Sequence, residues 1–195
     1  MLADGEREIG RAGESAQGRR TGRYTVVPRV LCFLLDGDAV LLLRGAPGKA
    51  LWAGLYNGVG GHMEPGEDPY QAAQREIREE TGLEVSELRL GGILHVSLSQ
   101  GPGVLVFCFV GRAPTREVRP TVEGALEWVP LERLRELPLV EDLPLLLPRL
   151  LSARAGDPPF FARSWYLPDG QLRVEFSQGT APGPDSSAWT SEREG

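Results

Sequence analysis

Hydrophobic residues first gather at Tyr24. Val26 to Leu35 and Ala39 to Leu43 are two apolar, β-rich runs parted by Asp36, Gly37 and Asp38, a pattern that predicts a hairpin. Arg44 to Leu55, with Gly45, Pro47, Gly48 and Gly54, reads as a loop, and Tyr56 to Val59 as a short strand leading into Gly60 and Gly61. Asp68 before Pro69 predicts a helix start, because the carboxylate caps orphan amides and proline sits where its missing N–H costs nothing. Gly82 is the matching stop. Strands are expected at Leu88 to Leu98, Val104 to Arg112 and Ala125 to Val129, then a helical region from Leu131 to Leu151 interrupted by Pro138, Pro144 and Pro148. Phe160 to Leu167 and Gln171 to Phe176, joined by Pro168-Asp169-Gly170, predict a terminal hairpin. Strands interleaved with two helices define an α/β chain, expected as an α/β/α sandwich around a mixed β-sheet.

Residues 1–23 and 177–195 are poor in residues to bury and are expected to be disordered tails around one domain at 24–176. The first tail holds no apolar core of a secretory signal, and no run approaches the ~20 residues of a membrane span, so a cytoplasmic location follows by default. A formal charge of −6 argues against a general nucleic-acid surface, which would need clustered cations. Cys32 and Cys108 each lie inside an apolar run and read as small core residues in preference to a disulfide.

The chemistry concentrates in Gly61-His-Met-Glu-Pro-Gly-Glu67 and Arg75-Glu-Ile-Arg-Glu-Glu-Thr-Gly-Leu83. At about 100° per residue, Glu76, Glu79 and Glu80 fall near 0°, −60° and 40°, so three carboxylates share one narrow helix face. Tyr70, Ala73 and Ile77, near 120°, 60° and 100°, make an apolar stripe beside it that docks the helix and keeps the glutamates at the rim of the core. Arg75 lies four residues before Glu79 and pairs with it. Clustered hard oxygen donors suit Mg²⁺ or Mn²⁺, ions that polarise phosphorus and activate water. The glycines before the helix let backbone approach a phosphate or a metal. A glutamate-rich helix face alone is ordinarily just a solvated surface; the full spacing is what sets this one apart.

That spacing matches every fixed position of the Nudix box, G-x5-E-x7-R-E-U-x-E-E-x-G-U with U apolar, and the chain is identified on it as resembling the Nudix hydrolase family. The resemblance implies the Nudix fold, a divalent metal held by Glu76, Glu79 and Glu80 with a carbonyl of Gly60 or Gly61, Arg75 as orienter and Glu67 as support for the loop. It implies attack of water on a diphosphate linkage of a small-molecule nucleotide; the general base is expected to be Glu79, which Arg75 can position, or Glu123 from a loop in its place.

Three segments further resemble the MutT-like branch, which cleaves oxidised purine nucleoside triphosphates such as 8-oxo-dGTP to monophosphate and pyrophosphate. They are Tyr56 to Gly61, where Asn57 corresponds to an asparagine that reads the base; Glu123 to Pro130; and the ending Pro159 to Phe176. The chain departs where that branch carries a base-stacking tryptophan before an acidic pair, for here the stretch is Pro138-Leu-Val-Glu-Asp142. Such stacking contributes about 1–3 kcal/mol. Glu141 and Asp142 stay candidates for the base edge, Asp142 equally for a helix cap, and Tyr56 and Trp52 for flanking a base or for the core. His62 reads as a loop residue near phosphates and His95 as a half-buried sheet residue. ADP-ribose or nucleotide-sugar hydrolysis, and a non-catalytic nucleotide sensor, are the alternatives, and a homodimer is left open.

Overall fold

The computed structural model describes residues 23–48 and 52–177. Both expected tails, except Arg23 and Ser177, lie outside the described residues. The strands are β1 Val26–Asp36, β2 Ala39–Gly45, β3 Tyr56–Asn57, β4 Leu88–Ser97, β5 Gly103–Arg112, β6 Gly124–Pro130, β7 Phe160–Tyr166 and β8 Leu172–Phe176. The helices are α1 Pro69–Thr81 and α2 Leu143–Ser152, with a 3-10 turn at Leu131–Glu136.

Alternation along β1 sets the two faces of the sheet. Val30, Cys32 and Leu34 pack with Leu41 and Phe109 against Ala72, Ala73 and Ile77 of α1. Phe33 packs the other way, with Val40, Leu42, Leu94 and Cys108, against Leu143, Leu146, Leu147 and Leu150 of α2. One helix on each face makes the expected α/β/α layering. The sheet is mixed, since β1 runs parallel to β5 and β4 parallel to β7, while the other strand pairs are antiparallel. Cys32 and Cys108 are free and buried on opposite faces, which rules out a bond between them in this fold.

One irregularity positions the site. β5 holds one edge of β1 from Val26 to Leu35, but β2 holds the other only over Leu34–Asp36. The rest of that edge goes to the segment after β3. Cys32 and Val59 exchange both backbone hydrogen bonds, Val30 N–H donates to the Gly61 carbonyl at 2.9 Å, and Met63 N–H donates to the Pro28 carbonyl at 3.2 Å. The chain from Val59 to Met63 is thus wedged into the split and delivered to α1 at a fixed height.

The helical region expected from 131 to 151 is broken into two pieces. Pro138 forces an extended chain: its carbonyl accepts Tyr56 N–H, and Val140 N–H donates to the Tyr56 carbonyl, so residues 138–140 pair with β3. α2 restarts with Pro144 in its first turn and tolerates Pro148 inside because four buried leucines pin its apolar face. Its C-terminus is capped from the sheet. Arg89 of β4 donates to the Leu150 and Ala153 carbonyls at 3.4 and 3.2 Å, placing a cation at the negative end of the helix. Replacing Arg89 with Ala is expected to cost about 1–2 kcal/mol, read by urea unfolding, with kcat/KM unchanged.

Candidate active site

Local sequence fixes both ends of α1. Asp68 accepts from Tyr70 and Gln71 N–H at 2.8 and 2.9 Å, and Gln71 returns the bond to Asp68 N–H, a complete capping box. Gly82 ends the helix in the left-handed conformation, φ 76°. Burying Ile77 completely stabilises the docking by about 2–3 kcal/mol. The docked stripe leaves the glutamates facing the wedge.

Arg75 is the hub of the site. Nε donates to Glu67 Oε1 at 2.7 Å and one terminal nitrogen to Glu67 Oε2 at 3.1 Å, a two-pronged pair. The same nitrogen donates to the His62 carbonyl at 2.9 Å, and the other reaches Glu76 at 3.0 Å and Glu79 at 3.2 Å. Loop and helix are thereby locked together. The Arg75 hydrogen bond, helped by the Glu64 N–H, holds the Glu67 carboxyl below its ordinary range. Bonds to Glu67 and Glu76 push the Arg75 guanidinium up, against its own burial.

Glu80 accepts Gly60 N–H at 3.1 Å, and the Glu76 carboxylate lies so close to the Gly61 Cα that a side chain there would collide with it. A side chain at Gly60 would strike the Val30 carbonyl. These contacts explain why the wedge carries two glycines. Arg75 answers three carboxylates, and Glu80 brings a fourth to the same stretch of glycine backbone. Among the described residues no three acidic, His or Cys side chains form a closed cage. The donor set instead fits an ion that keeps much of its water and takes one or two carboxylates.

A cation that the sequence reading missed borders the site. Arg29 of β1 is half-buried; burial pushes its guanidinium down, and the nearby Glu76 counteracts this. It lies 5.9 Å from the centre of the Trp52 ring. Trp52 is the only non-glycine with positive φ among the described residues, 61°, and its ring is partly exposed. The available signal was a charge inside the apolar run of β1.

The other candidates divide. Tyr56 is corrected to a core residue: it is 6% exposed and its hydroxyl donates to Glu127 at 2.8 Å, so it offers no open face to a base. Asn57 is half-exposed, and its oxygen accepts Gly58 N–H at 2.8 Å, which orients the amide. The Gly61 carbonyl is already used by Val30 N–H, so Gly60 is the better placed of the two as an extra ligand. Glu123 stands at the foot of β6, where its carbonyl accepts Ala46 N–H at 3.1 Å. His62 is exposed on the wedge, and His95 is half-buried on β4 with Tyr24 edge-on to it.

Glu141 is exposed and accepts the Tyr166 hydroxyl at 2.8 Å. Asp142 occupies the N-cap position of α2 without making the side-chain capping bond; burial chiefly, and Glu141 secondarily, raise its pKa. A carboxyl raised in the folded state subtracts no stability below its unfolded pKa, and subtracts progressively more as pH rises through the folded pKa. Asp142→Asn should therefore melt above the parent at pH 7, with the gap closing as pH falls toward 3.8, the ordinary carboxyl value. Thermal melts across pH check this.

The structure thus presents an α/β/α domain with an arginine-clamped acidic helix packed on glycine backbone, a set of oxygen donors of the kind that suits divalent cations. The comparisons narrow it. Residues 25–150 match the NUDIX domain model. The Nudix hydrolase YvcI of Bacillus subtilis is 32% identical over 113 residues, 55% of this chain and 68% of that protein. The CTP pyrophosphohydrolase of Escherichia coli is 29% identical over 134 residues, 66% of this chain and 95% of that protein. The chain also matches 45% of the NAD-capped RNA hydrolase NudC of Pseudomonas aeruginosa, at 31% identity. Among solved structures, the MutT protein of Bacillus halodurans superposes with a TM-score of 0.65 and 26% identity, covering 78% of this chain and 98% of that one. The chain belongs to the Nudix family and is a Nudix hydrolase, of a kind that uses divalent metal ions and takes small nucleotide substrates. No helix among the described residues is long and apolar enough to cross a membrane.

Proposed function

We propose that the chain hydrolyses a nucleoside triphosphate to the monophosphate and pyrophosphate with Mg²⁺ or Mn²⁺. The observation that carries this reading is the Arg75 hub beside Gly60 and Gly61, in a chain similar to the CTP pyrophosphohydrolase over nearly all of that protein. One or two of Glu76, Glu79 and Glu80, with the Gly60 carbonyl, would hold the ion. When bound, it supplies positive charge against the phosphate oxygens and Lewis acidity at phosphorus.

The residues do the rest. Arg75 orients Glu76 and Glu79, and Glu67 fixes Arg75 to the loop. Glu79, more than half exposed, takes the proton of the attacking water as that oxygen bonds to phosphorus and the bridging P–O bond breaks, releasing pyrophosphate. Glu123 is the alternative base. Arg29, steadied on Trp52, meets the phosphates. Glu141, Asp142 and Asn57 face the base, and the likeness to MutT proteins makes an oxidised purine such as 8-oxo-dGTP one candidate.

Incubation with a panel of nucleoside triphosphates, 8-oxo-dGTP, ADP-ribose and nucleotide sugars tests the reading. Pyrophosphate and monophosphate from a triphosphate support it. Turnover confined to ADP-ribose or a nucleotide sugar, or binding without Mg²⁺-dependent turnover, contradicts it.

A further inference from the structure

α1 leaves part of its own side of the sheet uncovered. Leu94 and Ala162 belong to the core beneath α2, so by alternation Ile93 and His95 of β4 and Phe161 and Arg163 of β7 point to the opposite face. The cluster that packs with α1 takes Phe107 and Phe109 from β5, while Ile93, Leu105 and Phe161 lie outside it. Phe161 is 49% exposed. A cavity of about 270 Å³ opens there, lined by Ile93, His95, Leu105, Phe161, Arg163 and Ser177 among others. The register sets Leu105, His95, Arg163 and Glu175 opposite one another in a single row across β5, β4, β7 and β8, three strand spacings or about 14 Å.

The last described residue, Ser177, is part of that lining, and its N–H donates to the Phe161 carbonyl at 2.8 Å. The chain therefore passes out of the fold at the cavity itself. Residues 178–195 follow, small and polar apart from one large apolar side chain, Trp189, twelve positions beyond Ser177. Twelve residues reach at most about 40 Å, enough to bring the indole to any point of the row. Charge agrees with this pairing. Asp185, Glu192 and Glu194 against the lone Arg193 leave the segment at −2, whereas Arg163 and Arg173 outnumber Glu175 on this face of β7 and β8. Residues 1–22 lead to Tyr24, edge-on to His95 beside the same face, but offer neither feature: four acids balance four arginines, and there is no aromatic residue.

We infer that this open sheet face is the docking surface for the chain's own segment 178–195, with the Trp189 indole seated in the cavity against Phe161, Ile93 and Leu105. An aromatic side chain brings a large apolar area to a face that lacks a cover, and its acidic neighbours in sequence lie toward Arg163 and Arg173. The covalent link makes the contact intramolecular, at an effective concentration in the millimolar range, so a single anchor suffices. The segment expected from its composition to be a disordered tail thereby orders on the domain that carries it.

The test is limited chymotrypsin digestion of the full chain, with release of residues 190–195 followed by mass spectrometry, alongside nuclear Overhauser spectra of the parent. In Phe161→Ala and Phe161→Glu, cleavage after Trp189 should run about 3- to 20-fold faster than in the parent, the loss of one aromatic anchor. Phe161→Tyr, which keeps the ring, should stay within about twofold of the parent. The spectra should show the Trp189 indole close to the Phe161 and Leu105 side chains, in a species that sediments as a monomer. Cleavage equally fast in the parent and both truncations, or an indole with no such contacts, overturns the inference. Contacts that appear only as the protein dimerises overturn it too, and give the face to a second copy.

Discussion

Glu79→Gln and Glu80→Gln should each lower metal-dependent kcat/KM by about 10³-fold or more while the protein keeps its fold. Glutamine preserves the size of each side chain and removes the charge. At Glu80 the amide oxygen still accepts Gly60 N–H, so the wedge stays in place while the negative charge that attracts a divalent cation is lost. At Glu79 the loss is of a proton acceptor, a role that contributes about 10²–10⁴-fold, together with a negative ligand. Both lie at the rim of α1, away from the buried Ala72, Ala73 and Ile77, so circular dichroism and the melting temperature should change little. Turnover within tenfold of the parent in either variant would remove that residue from the machinery.

Arg75→Ala should be nearly as damaging for a different reason. The guanidinium is 15% exposed and bonds Glu67, Glu76, Glu79 and the His62 carbonyl at once. Truncation leaves Glu67, at 18% side-chain exposure, without its hydrogen-bonded cation, and takes from Glu76, at 13%, the nearer of its two cations. Removing one partner of a well-buried ion pair costs about 3–5 kcal/mol, and the partial exposure here reduces this to about 2–3 kcal/mol. The loop is freed from the helix as well, and kcat is expected to fall about 10²-fold through mispositioned carboxylates. Arg75→Lys should recover stability in part but little rate, since an ammonium cannot serve both prongs of Glu67 and reach Glu79 in one geometry. Urea unfolding and steady-state kinetics on the pair separate the two effects.

The acidic face and its docking were legible in the sequence because both follow from helical periodicity. Once α1 begins at Asp68 and ends at Gly82, the placement of Glu76, Glu79, Glu80, Arg75 and Ile77 is geometry. The hairpins and the layering were legible for the same reason, being set by local alternation and turn residues. Contacts made by tertiary pairing were not. Tyr56 looked available for a base because nothing nearby in sequence shows that Glu127, 71 residues away, takes its hydroxyl. The engagement of the Gly61 carbonyl by Val30 depends on the split between β1 and β2, and the coupling of Tyr166 to Glu141 on a hairpin paired with β4. Arg29 was missed because a single charge in a strand declares its face only when the register is known.

The most direct test of the account is a crystal soaked in Mn²⁺ and measured for anomalous scattering. A strong peak about 2.1–2.3 Å from carboxylate oxygens of α1, among Glu76, Glu79 and Glu80, with the Gly60 carbonyl in reach, is the predicted result. An anomalous map featureless along that helix face, under conditions where the enzyme is active, would contradict it.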